Sequence, residues 1–141
     1  MAGNIRLEIV TPSTDVVNEE AQIVMAPGSL GEFGVLKGHT PFMTALKTGE
    51  VRYTDTGNKE RSVFVSGGFA EALPDRVTVL AESAERQDDI DKARAKAAME
   101  RAQKRLEGEA LVPGESIDEA RARAALERAV HRIALADRGH Q

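Results

Sequence analysis

Apolar and polar residues alternate with period two from residue 4 to about residue 82. In the first of these segments Ile5, Leu7 and Ile9 share one side, with charged residues between them, which is the pattern of a half-buried β-strand. Further strands are predicted over residues 16–17, 21–25, 42–47, 50–54, 61–66, 68–73 and 77–80. Turn residues at 55–58 and at 74–75 separate some of them. Because no helical pattern separates these strands, we expect a mainly β domain, an antiparallel β-sandwich or barrel.

The hydrophobic period changes near Gln87, and two helices are predicted over residues about 88–107 and 116–137. Their sequences repeat at an offset of 27 residues, each opening with the pattern I-D-x-x-R-A. Asp88 is the predicted N-cap of the first helix, and Ser116 with Glu119 forms a capping box for the second. We therefore expect two domains, a β domain over residues 1–86 and an antiparallel two-helix hairpin over residues 87–141.

The predicted contact surface of the hairpin consists mostly of small side chains. A buried Leu or Met contributes about 1.5–3 kcal/mol and an alanine much less. Such a hairpin has little apolar area to hold its helices together, so it is expected to be marginally stable and able to move. The stripes that face each other are Ala95, Met99, Ala102 and Leu106 on the first helix and Ala122, Leu126, Ala129 and Ile133 on the second.

Composition and charge exclude several classes of function. The 141 residues carry a net charge of -4 without a basic cluster, which argues against nucleic acid or anionic lipid as the main partner. Cysteine is absent, which removes disulfides and thiolate chemistry. No apolar run approaches the roughly 20 residues of a membrane span, and the N-terminus does not have the pattern of a signal peptide. We expect a cytoplasmic protein that meets a membrane only through a partner.

Arginines recur beside each alanine stripe at spacings that keep them on one face of their helix. If the helices pack together, guanidinium groups from both could converge on a polyphosphate. In the alternative interpretation the arginines pair with acids one turn away and only solvate the helices. Spacing alone favours the alternative. The arginines are Arg94, Arg101 and Arg105 on the first helix and Arg121, Arg128 and Arg132 on the second.

Two glycine-rich segments invite a functional interpretation, but each has a simpler structural one. The segment over residues 28–41 lacks the order of a nucleotide-binding loop and is expected to be an exposed inter-strand loop, on which Glu32 and His39 could form a contact surface. Gly67 and Gly68 suggest a kink or bulge in a strand. The three histidines lie far apart, so no metal site is expected.

No catalytic arrangement of a nucleophile with an acid or base stands out in the strands. The residues leave open a small-molecule-binding sandwich enzyme or module with a helical tail, and a free-standing adaptor.

Over nearly its whole length the chain resembles the epsilon subunit of F-type rotary ATP synthases. The resemblance implies a ten-stranded sandwich followed by a two-helix hairpin, and a subunit that couples and regulates without catalysing a reaction itself. The matching positions are Thr11-Pro12, Pro27-Gly28, the loop from Gly31-Glu32 and Gly34 to His39, Pro41, Leu46, Gly49, Val65, Gly67-Gly68-Phe69, Val77, Val79-Leu80-Ala81 and the I-D-x-x-R-A helix start.

The resemblance also implies partners and a location. A face of the sandwich would pack on the gamma subunit, and the loop with Glu32, Lys37 and His39 would meet polar loops of the c ring. The hairpin would either fold against the sandwich or extend into the alpha/beta hexamer, where it blocks ATP hydrolysis. The complex would be proton-translocating, with this subunit peripheral on the cytoplasmic face of the membrane.

Some bacterial members of the family bind regulatory ATP in the folded form, and no cofactor is otherwise required. The resemblance makes the phosphate and solvation interpretations of the arginines about equally favoured. The positions that match this ATP site are Glu85, Ile90, Asp91, Arg94, Ala95, Arg101, Arg128 and Arg132.

Overall fold

The structure is a computed structural model that describes residues 3–108, 114 and 118–139. These residues divide into two compact units, within residues 1–87 and 88–141. A short 3-10 helix, Gln87–Asp89, follows the last strand. The strands and helices of the described residues are β1 (Ile5–Val10), β2 (Asp15–Gly28), β3 (Gly31–Val35), β4 (Phe42–Ala45), β5 (Gly49–Asp55), β6 (Glu60–Ser66), β7 (Phe69–Leu73), β8 (Arg76–Leu80), β9 (Ser83–Arg86), α1 (Lys92–Leu106) and α2 (Glu119–Gly139).

The nine described strands hydrogen-bond in the order β4-β7-β8-β1-β2-β5-β6-β9, and β3 pairs with β2 beside this path. All of their pairings are antiparallel except that of β1 with β8. The 14-residue β2 is long enough to pair with β1 along its first half and with β3 along its second. The predicted fold class, a β-sandwich followed by two helices, is confirmed, with nine described strands where about ten were expected.

The alternation in β1 has the predicted consequence for burial. Ile5, Leu7 and Ile9 are fully buried, whereas Arg6 between them is exposed. Because β8 pairs in parallel with β1, its buried Val77 and Val79 lie beside Leu7 and Ile9. Neighbouring rows of β-branched and aliphatic side chains of this kind form the interior of the sandwich.

The two strands predicted over residues 16–17 and 21–25 are one continuous strand, β2. The pairing of β2 with β5 shifts register between Ala21 and Ile23. Gln22 lies at this irregularity, and its side-chain amide donates to the backbone oxygen of Asp55 at 3.1 Å. This bulge lies inside the second of the two predicted strands. The break was predicted because Asn18, Glu19 and Glu20 are all polar, yet all three pair with β1, so the strand continues through them.

Strands β3 and β9 were not predicted, and β3 corrects the expectation of a loop over residues 28–41. Gly34 weakens the strand pattern because it has no side chain, yet a Cβ there would lie 2.6 Å from the Sδ atom of Met25. The Met25 side chain on the neighbouring strand thus fills the space that a side chain at position 34 would occupy. β9 escaped prediction because its four residues, half-buried and mostly polar, pair only with β6.

Gly67 and Gly68 form the connection between β6 and β7, and the prediction of a bulge within a strand is wrong. Both have a positive φ, +63° and +107°. A Cβ at Gly68 would lie 1.9 Å from the backbone oxygen of Leu80, so the backbone passes too close to β8 for any side chain. The glycines allow the chain to leave β6 and enter β7, which lies far from β6 in the strand order.

The hairpin helix α1 begins later than predicted. Its N-cap is Asp91, whose carboxylate accepts a hydrogen bond from the backbone amide of Arg94 at 3.0 Å. Asp88 lies in the preceding 3-10 helix, so the prediction of Asp88 as the cap is wrong. At the start of α2, Asp118 accepts from the amide of Arg121 at 3.1 Å, and the predicted cap Ser116 lies outside the described residues.

The two helices pack against each other in antiparallel orientation. An ion pair joins the Nζ atom of Lys92, the first residue of α1, to Asp137 near the end of α2. Alanines dominate the contact: the buried residues are Ala95 and Ala102 on α1 and Ala122, Ala129, Leu135 and Ala136 on α2. The larger residues of the predicted stripes, Met99, Leu106, Leu126 and Ile133, are half-buried at its edge.

Candidate functional site

The residues predicted to bind ATP fall in both units. Glu85 belongs to β9 of the first unit, where it pairs with Phe64 of β6. In the second unit Ile90 is half-buried, and Asp91 uses a carboxylate oxygen to cap α1. Ala95 is 4 % exposed and lies in the contact between the helices. Asp91 and Ala95 thus have structural roles within the hairpin.

Four arginines, two on each helix, lie on one side of the hairpin. Each directly precedes a buried alanine. Its side chain therefore points about 100° around the helix axis from that alanine, in the same rotational sense on both helices. When two helices pack antiparallel, residues at the same angle before the buried position of each helix lie on the same side of the pair. The arginines that share this side are Arg94 and Arg101 on α1 and Arg121 and Arg128 on α2.

The Lys92–Asp137 ion pair sets the heights of these arginines. Arg101 lies nine residues after Lys92, and Arg128 lies nine residues before Asp137. At 1.5 Å per residue each is displaced by about 13.5 Å from the ion pair, so the two lie at the same level. Arg101 is exposed and Arg128 half-buried. One arginine from each helix is therefore available to a single anion at this level.

An apolar edge borders the helix contact on the opposite flank of the hairpin. It is formed by the half-buried Met99 and Leu106 of α1 with Leu126 and Ile133 of α2, each four residues after a buried alanine. The two flanks of the hairpin therefore differ: one carries the four arginines, and the other carries apolar side chains at the edge of the contact, with the exposed Arg123 and the Lys92–Asp137 ion pair beyond them. Such a hairpin can present either side to a partner.

Glu32, Lys37 and His39, the predicted c-ring contacts, differ in their surroundings. Glu32 lies in β3 and is half exposed, and both of its carboxylate oxygens accept from Nη2 of Arg52 at 2.9 Å. Lys37 is exposed, whereas the His39 ring packs edge-on against Phe42 with centroids 4.8 Å apart. His39 thus contributes mainly to packing, and of the three predicted contacts Glu32 and Lys37 are the ones with exposed polar groups.

The β2–β3 hairpin ends in a tip whose side chain was not predicted to be functional. Leu30 is the second residue of the two-residue turn between the strands, and it is 99 % exposed. Gly31, with a φ of +135°, closes the turn beside it. A fully exposed leucine two residues from Glu32 makes this tip an apolar and acidic contact point.

An apolar patch covers the outer side of β4, β7 and β8, and sequence reasoning missed it. Met43, Phe69 and Leu80 are 67, 58 and 55 % exposed. Phe69 pairs directly with Leu80 across the two strands. Ala70 and Val79, which neighbour Phe69 and Leu80, are buried, and Phe42 and Thr44 on either side of Met43 are half-buried. A strict application of the alternation would therefore have placed Met43, Phe69 and Leu80 outside.

Beside the patch lies an open cleft of about 700 Å³, lined by Pro12, Leu46, Phe69, Leu80 and Glu82 among others. Glu71 projects from β7 beside Met43 of β4. The patch and the cleft form a mainly apolar surface with acidic residues at its margin. An exposed apolar surface of this kind is typical of a protein–protein interface.

A polar cluster fixes the last residue of the sandwich. Arg86 at the end of β9 donates from Nε to the Val16 oxygen at 3.1 Å and from Nη1 to the Tyr53 hydroxyl at 3.2 Å. The Tyr53 hydroxyl donates to Glu19, which lies 3.8 Å from the Arg86 guanidinium. Burial, with the Glu19 bond, raises the pKa of Tyr53 to about 12 although Arg86 opposes the shift.

The described residues contain no group of three or more acids and histidines arranged to hold a metal ion. Neither described helix is long and apolar enough to cross a bilayer.

Two family models match the two units separately. The beta-sandwich domain of the ATP synthase delta/epsilon chain matches residues 4–87, and its long alpha-helix domain matches residues 88–137. These matches place the chain in the delta/epsilon class of ATP synthase subunits.

Individual relatives narrow this class. The chain is 67 % identical over 107 residues to an ATP synthase epsilon chain of Desulfosudis oleivorans, covering 76 % of this chain and 80 % of that protein. It is 48 % identical over 139 residues to ATP synthase epsilon chain 2 of Syntrophotalea carbinolica, covering 99 % and 98 %. The chain therefore belongs to the family of ATP synthase epsilon chains, which are central-stalk subunits of the synthase.

Solved structures agree with this fold. A chain of the Euglena gracilis mitochondrial ATP synthase, in a structure described as OSCP/F1/c-ring, superposes with a TM-score of 0.75 at 24 % identity, covering 93 % of this chain and 80 % of that one. A chain from the central stalk and c ring of the Tetrahymena thermophila enzyme gives a TM-score of 0.54 at 10 % identity, covering 99 % and 98 %. At these identities the likeness concerns the fold alone.

Proposed function

We propose that this chain is a non-catalytic rotor subunit that joins gamma to the c ring in a proton-translocating ATP synthase and regulates ATP hydrolysis through its hairpin. The observation that carries the coupling role is the apolar patch of Met43, Phe69 and Leu80, because a partner must cover so much exposed apolar side chain. Membership of the ATP synthase epsilon-chain family supports partners within the synthase.

Gamma is the partner proposed for the apolar patch. Phe69 lies at its centre, paired with Leu80 and bordering the cleft. Phe69→Glu should weaken binding to purified gamma by about 30-fold, corresponding to about 2 kcal/mol for a buried aromatic anchor. Leu30→Glu is the matched control, since Leu30 is also exposed but lies at the β2–β3 tip. Equal affinity of Phe69→Glu and the unmodified chain would contradict this docking surface.

The c ring is the partner proposed for the β2–β3 tip with Leu30, Glu32 and Lys37. Loops of a c ring that face this tip would meet one apolar side chain and an accessible carboxylate. Glu32→Gln should weaken binding to the purified c ring about tenfold, because a charge-assisted contact becomes a neutral one. Lys47→Gln, at an exposed lysine outside the β2–β3 tip, serves as the control.

The hairpin is proposed to act as the regulatory element. Alanines supply most of its buried contact, so its packed form has a small free-energy advantage. A ligand that binds only the packed, folded form stabilises it by RT ln(1 + [L]/Kd), about 2.7 kcal/mol at a hundredfold excess over Kd. For so lightly packed an element this is enough to decide between a folded and an extended state.

ATP is the proposed regulatory ligand, and the equal height of Arg101 and Arg128 on the basic side supports it. The neighbouring Arg94 and Arg132 extend the same positive surface, and Glu85, Ile90, Asp91 and Ala95 stay predictions from family resemblance. ATP should slow amide exchange in α1 and α2, and the double change Arg101→Ala with Arg128→Ala should abolish this protection.

Arg123→Ala is the matched control for the ATP experiment. Arg123 is exposed, follows the buried Ala122 by one residue on the other flank, and pairs with Glu119 at 2.7 Å. It should leave the ATP effect unchanged. If ATP changes no exchange rate in the unmodified chain, the sensing role is refuted, although the rotor role is unaffected.

Inhibition through the extended hairpin requires contact with the alpha/beta hexamer. A complex assembled with a chain that ends at Gln87 should hydrolyse ATP faster than one with the full chain, while still pumping protons. An unchanged hydrolysis rate would contradict the inhibitory role. Co-purification of the full chain with a membrane ATPase separates the rotor subunit from a free-standing adaptor or a small-molecule-binding module.

A further inference from the structure

Arg52 on β5 reaches across β2 to the β2–β3 tip. Its Nη2 atom lies 2.9 Å from both carboxylate oxygens of Glu32 on β3. Its Nε atom lies 3.4 Å from the carboxylate of Glu50 on its own strand. One guanidinium therefore links two acids that are separated by an intervening strand.

The strand register explains how this contact forms. Arg52 pairs with Met25 of β2, and Met25 pairs with Gly34 of β3. Glu32 precedes Gly34 by two residues and therefore points to the same side of the sheet. Gly34 has no side chain, and Met25 fills the space beside it, so the nearest side chain of β3 that Arg52 can meet on this side is that of Glu32.

Charge and exposure suggest what this contact does. Glu32 and Arg52 have half-exposed side chains, so their ion pair adds little to the stability of the fold. It does hold the Glu32 carboxylate in one orientation beside the fully exposed Leu30. A carboxylate that is already ordered loses less conformational entropy when a partner binds it.

We propose that Arg52 is a positioning residue for docking on the c ring: it holds the Glu32 carboxylate in the orientation that the ring's polar loops bind. This inference rests on the proposed contact between the β2–β3 tip and the c ring. The Nε contact with Glu50 anchors the guanidinium, and the Nη2 contact then fixes Glu32. A lysine retains the charge, but its single ammonium lacks the two separate nitrogens, Nη2 and Nε, with which the planar guanidinium reaches Glu32 and Glu50 in a fixed geometry.

The test is a double-mutant cycle, with the full chain titrated onto detergent-solubilised c ring of the same enzyme. Glu32→Gln should weaken binding about tenfold, and Arg52→Lys about fivefold, since the charge is kept but the ordering is lost. The double variant should bind no more weakly than Glu32→Gln alone, because Arg52 acts only through Glu32. The thermal midpoints of all variants should agree.

The control is Arg61→Lys. Arg61 lies on β6 and is also paired with an acid, Asp55, at 3.0 Å, but outside the β2–β3 tip. It should bind the ring with unchanged affinity.

The outcomes separate the inference from the function on which it rests. If Glu32→Gln binds as well as the unmodified chain, the proposed c-ring contact fails. If Glu32→Gln weakens binding while Arg52→Lys does not, or if the two losses multiply in the double variant, the positioning role is overturned. Tighter binding of Arg52→Gln would also overturn it, because Arg52 would then mask Glu32 from the ring.

Discussion

Single residues set the close approaches and polar contacts on which the sandwich depends, and Gly68 is the most constrained of them. Its φ of +107° is unfavourable for other residues, and the Leu80 oxygen occupies the place of a Cβ. Gly68→Ala should lower the free energy of unfolding by at least about 3 kcal/mol, because it adds backbone strain and a clash between the new Cβ and the Leu80 oxygen. Urea unfolding measures this change.

Gly57→Ala is the control for Gly68. A Cβ at Gly57 would meet its nearest atom at 3.4 Å, an ordinary contact distance, so the stability should change little. Similar stability of the two variants would show that the β6–β7 connection can shift away from β8.

Tyr53 makes stability depend on alkaline pH. Burial and Glu19 raise its pKa in the folded chain to about 12, above the ordinary value of 10. Between these values the unfolded chain loses the proton and the folded chain keeps it, so stability falls as pH rises from about 10 to about 12. Tyr53→Phe should remove this part of the pH dependence.

Spectroscopy can follow this titration directly, since Tyr53 is the single tyrosine of the sequence. The ultraviolet absorbance of the phenolate should rise with a midpoint near pH 12 in the folded chain. Glu19→Gln should lower the midpoint by removing a charged acceptor. A midpoint at the ordinary value of 10 would contradict the buried, hydrogen-bonded placement.

At the scale of elements, the start of α1 is set by a cap that the sequence pattern placed wrongly. Asp88 and Asp91 both precede the helix, but the carboxylate of Asp91 accepts the Arg94 amide. Asp91→Ala should reduce the stability of α1 by about 1 kcal/mol, the usual cost of losing an N-cap. Amide exchange within α1 measures the effect.

Asp88→Ala provides the matched comparison, since it removes the same charge three residues earlier. It should leave exchange in α1 almost unchanged, because Asp88 lies in the 3-10 helix before the cap. Equal acceleration by both variants would mean that charge near the helix start, and not the cap bond, stabilises α1.

The β5–β6 turn shows an element whose position was predictable. Asp55 accepts from the amides of Gly57 at 3.0 Å and Lys59 at 2.9 Å, and Asn58 adopts a φ of +66°. The amide of Lys59 and the Arg61 guanidinium hold the pKa of Asp55 below its ordinary value. Stability from this carboxylate is therefore present at neutral pH and is lost as pH falls through its lowered pKa.

For the whole molecule, the two units have different kinds of packing. The main apolar cluster contains large side chains from residues 5–81, whereas the helices contact each other mainly through alanines. The hairpin should therefore open at a lower denaturant concentration than the sandwich. Amide exchange measured at increasing denaturant concentration should accelerate in α1 and α2 before it does in β1 and β2. A single cooperative transition shared by both units would contradict this expectation.

The order of most elements and the class of the fold could be predicted from the amino-acid sequence. The spacing of apolar side chains along one element shows which of its faces is buried. This is why the alternation at Ile5, Leu7 and Ile9 predicted a strand and the repeated segments predicted two helices. Gly34 and the polar residues of β9 concealed strands because their pairing depends on neighbours distant in sequence, Met25 and β6.

The surfaces became apparent only once the chain was folded. Folding brings Met43, Phe69 and Leu80 together from three strands and joins Arg52 to Glu32 across β2. The arginine spacing was visible in the sequence, but the level shared by Arg101 and Arg128 follows from the Lys92–Asp137 pair. Periodicity describes one element at a time, whereas a binding surface depends on the register between elements, which long-range pairing sets.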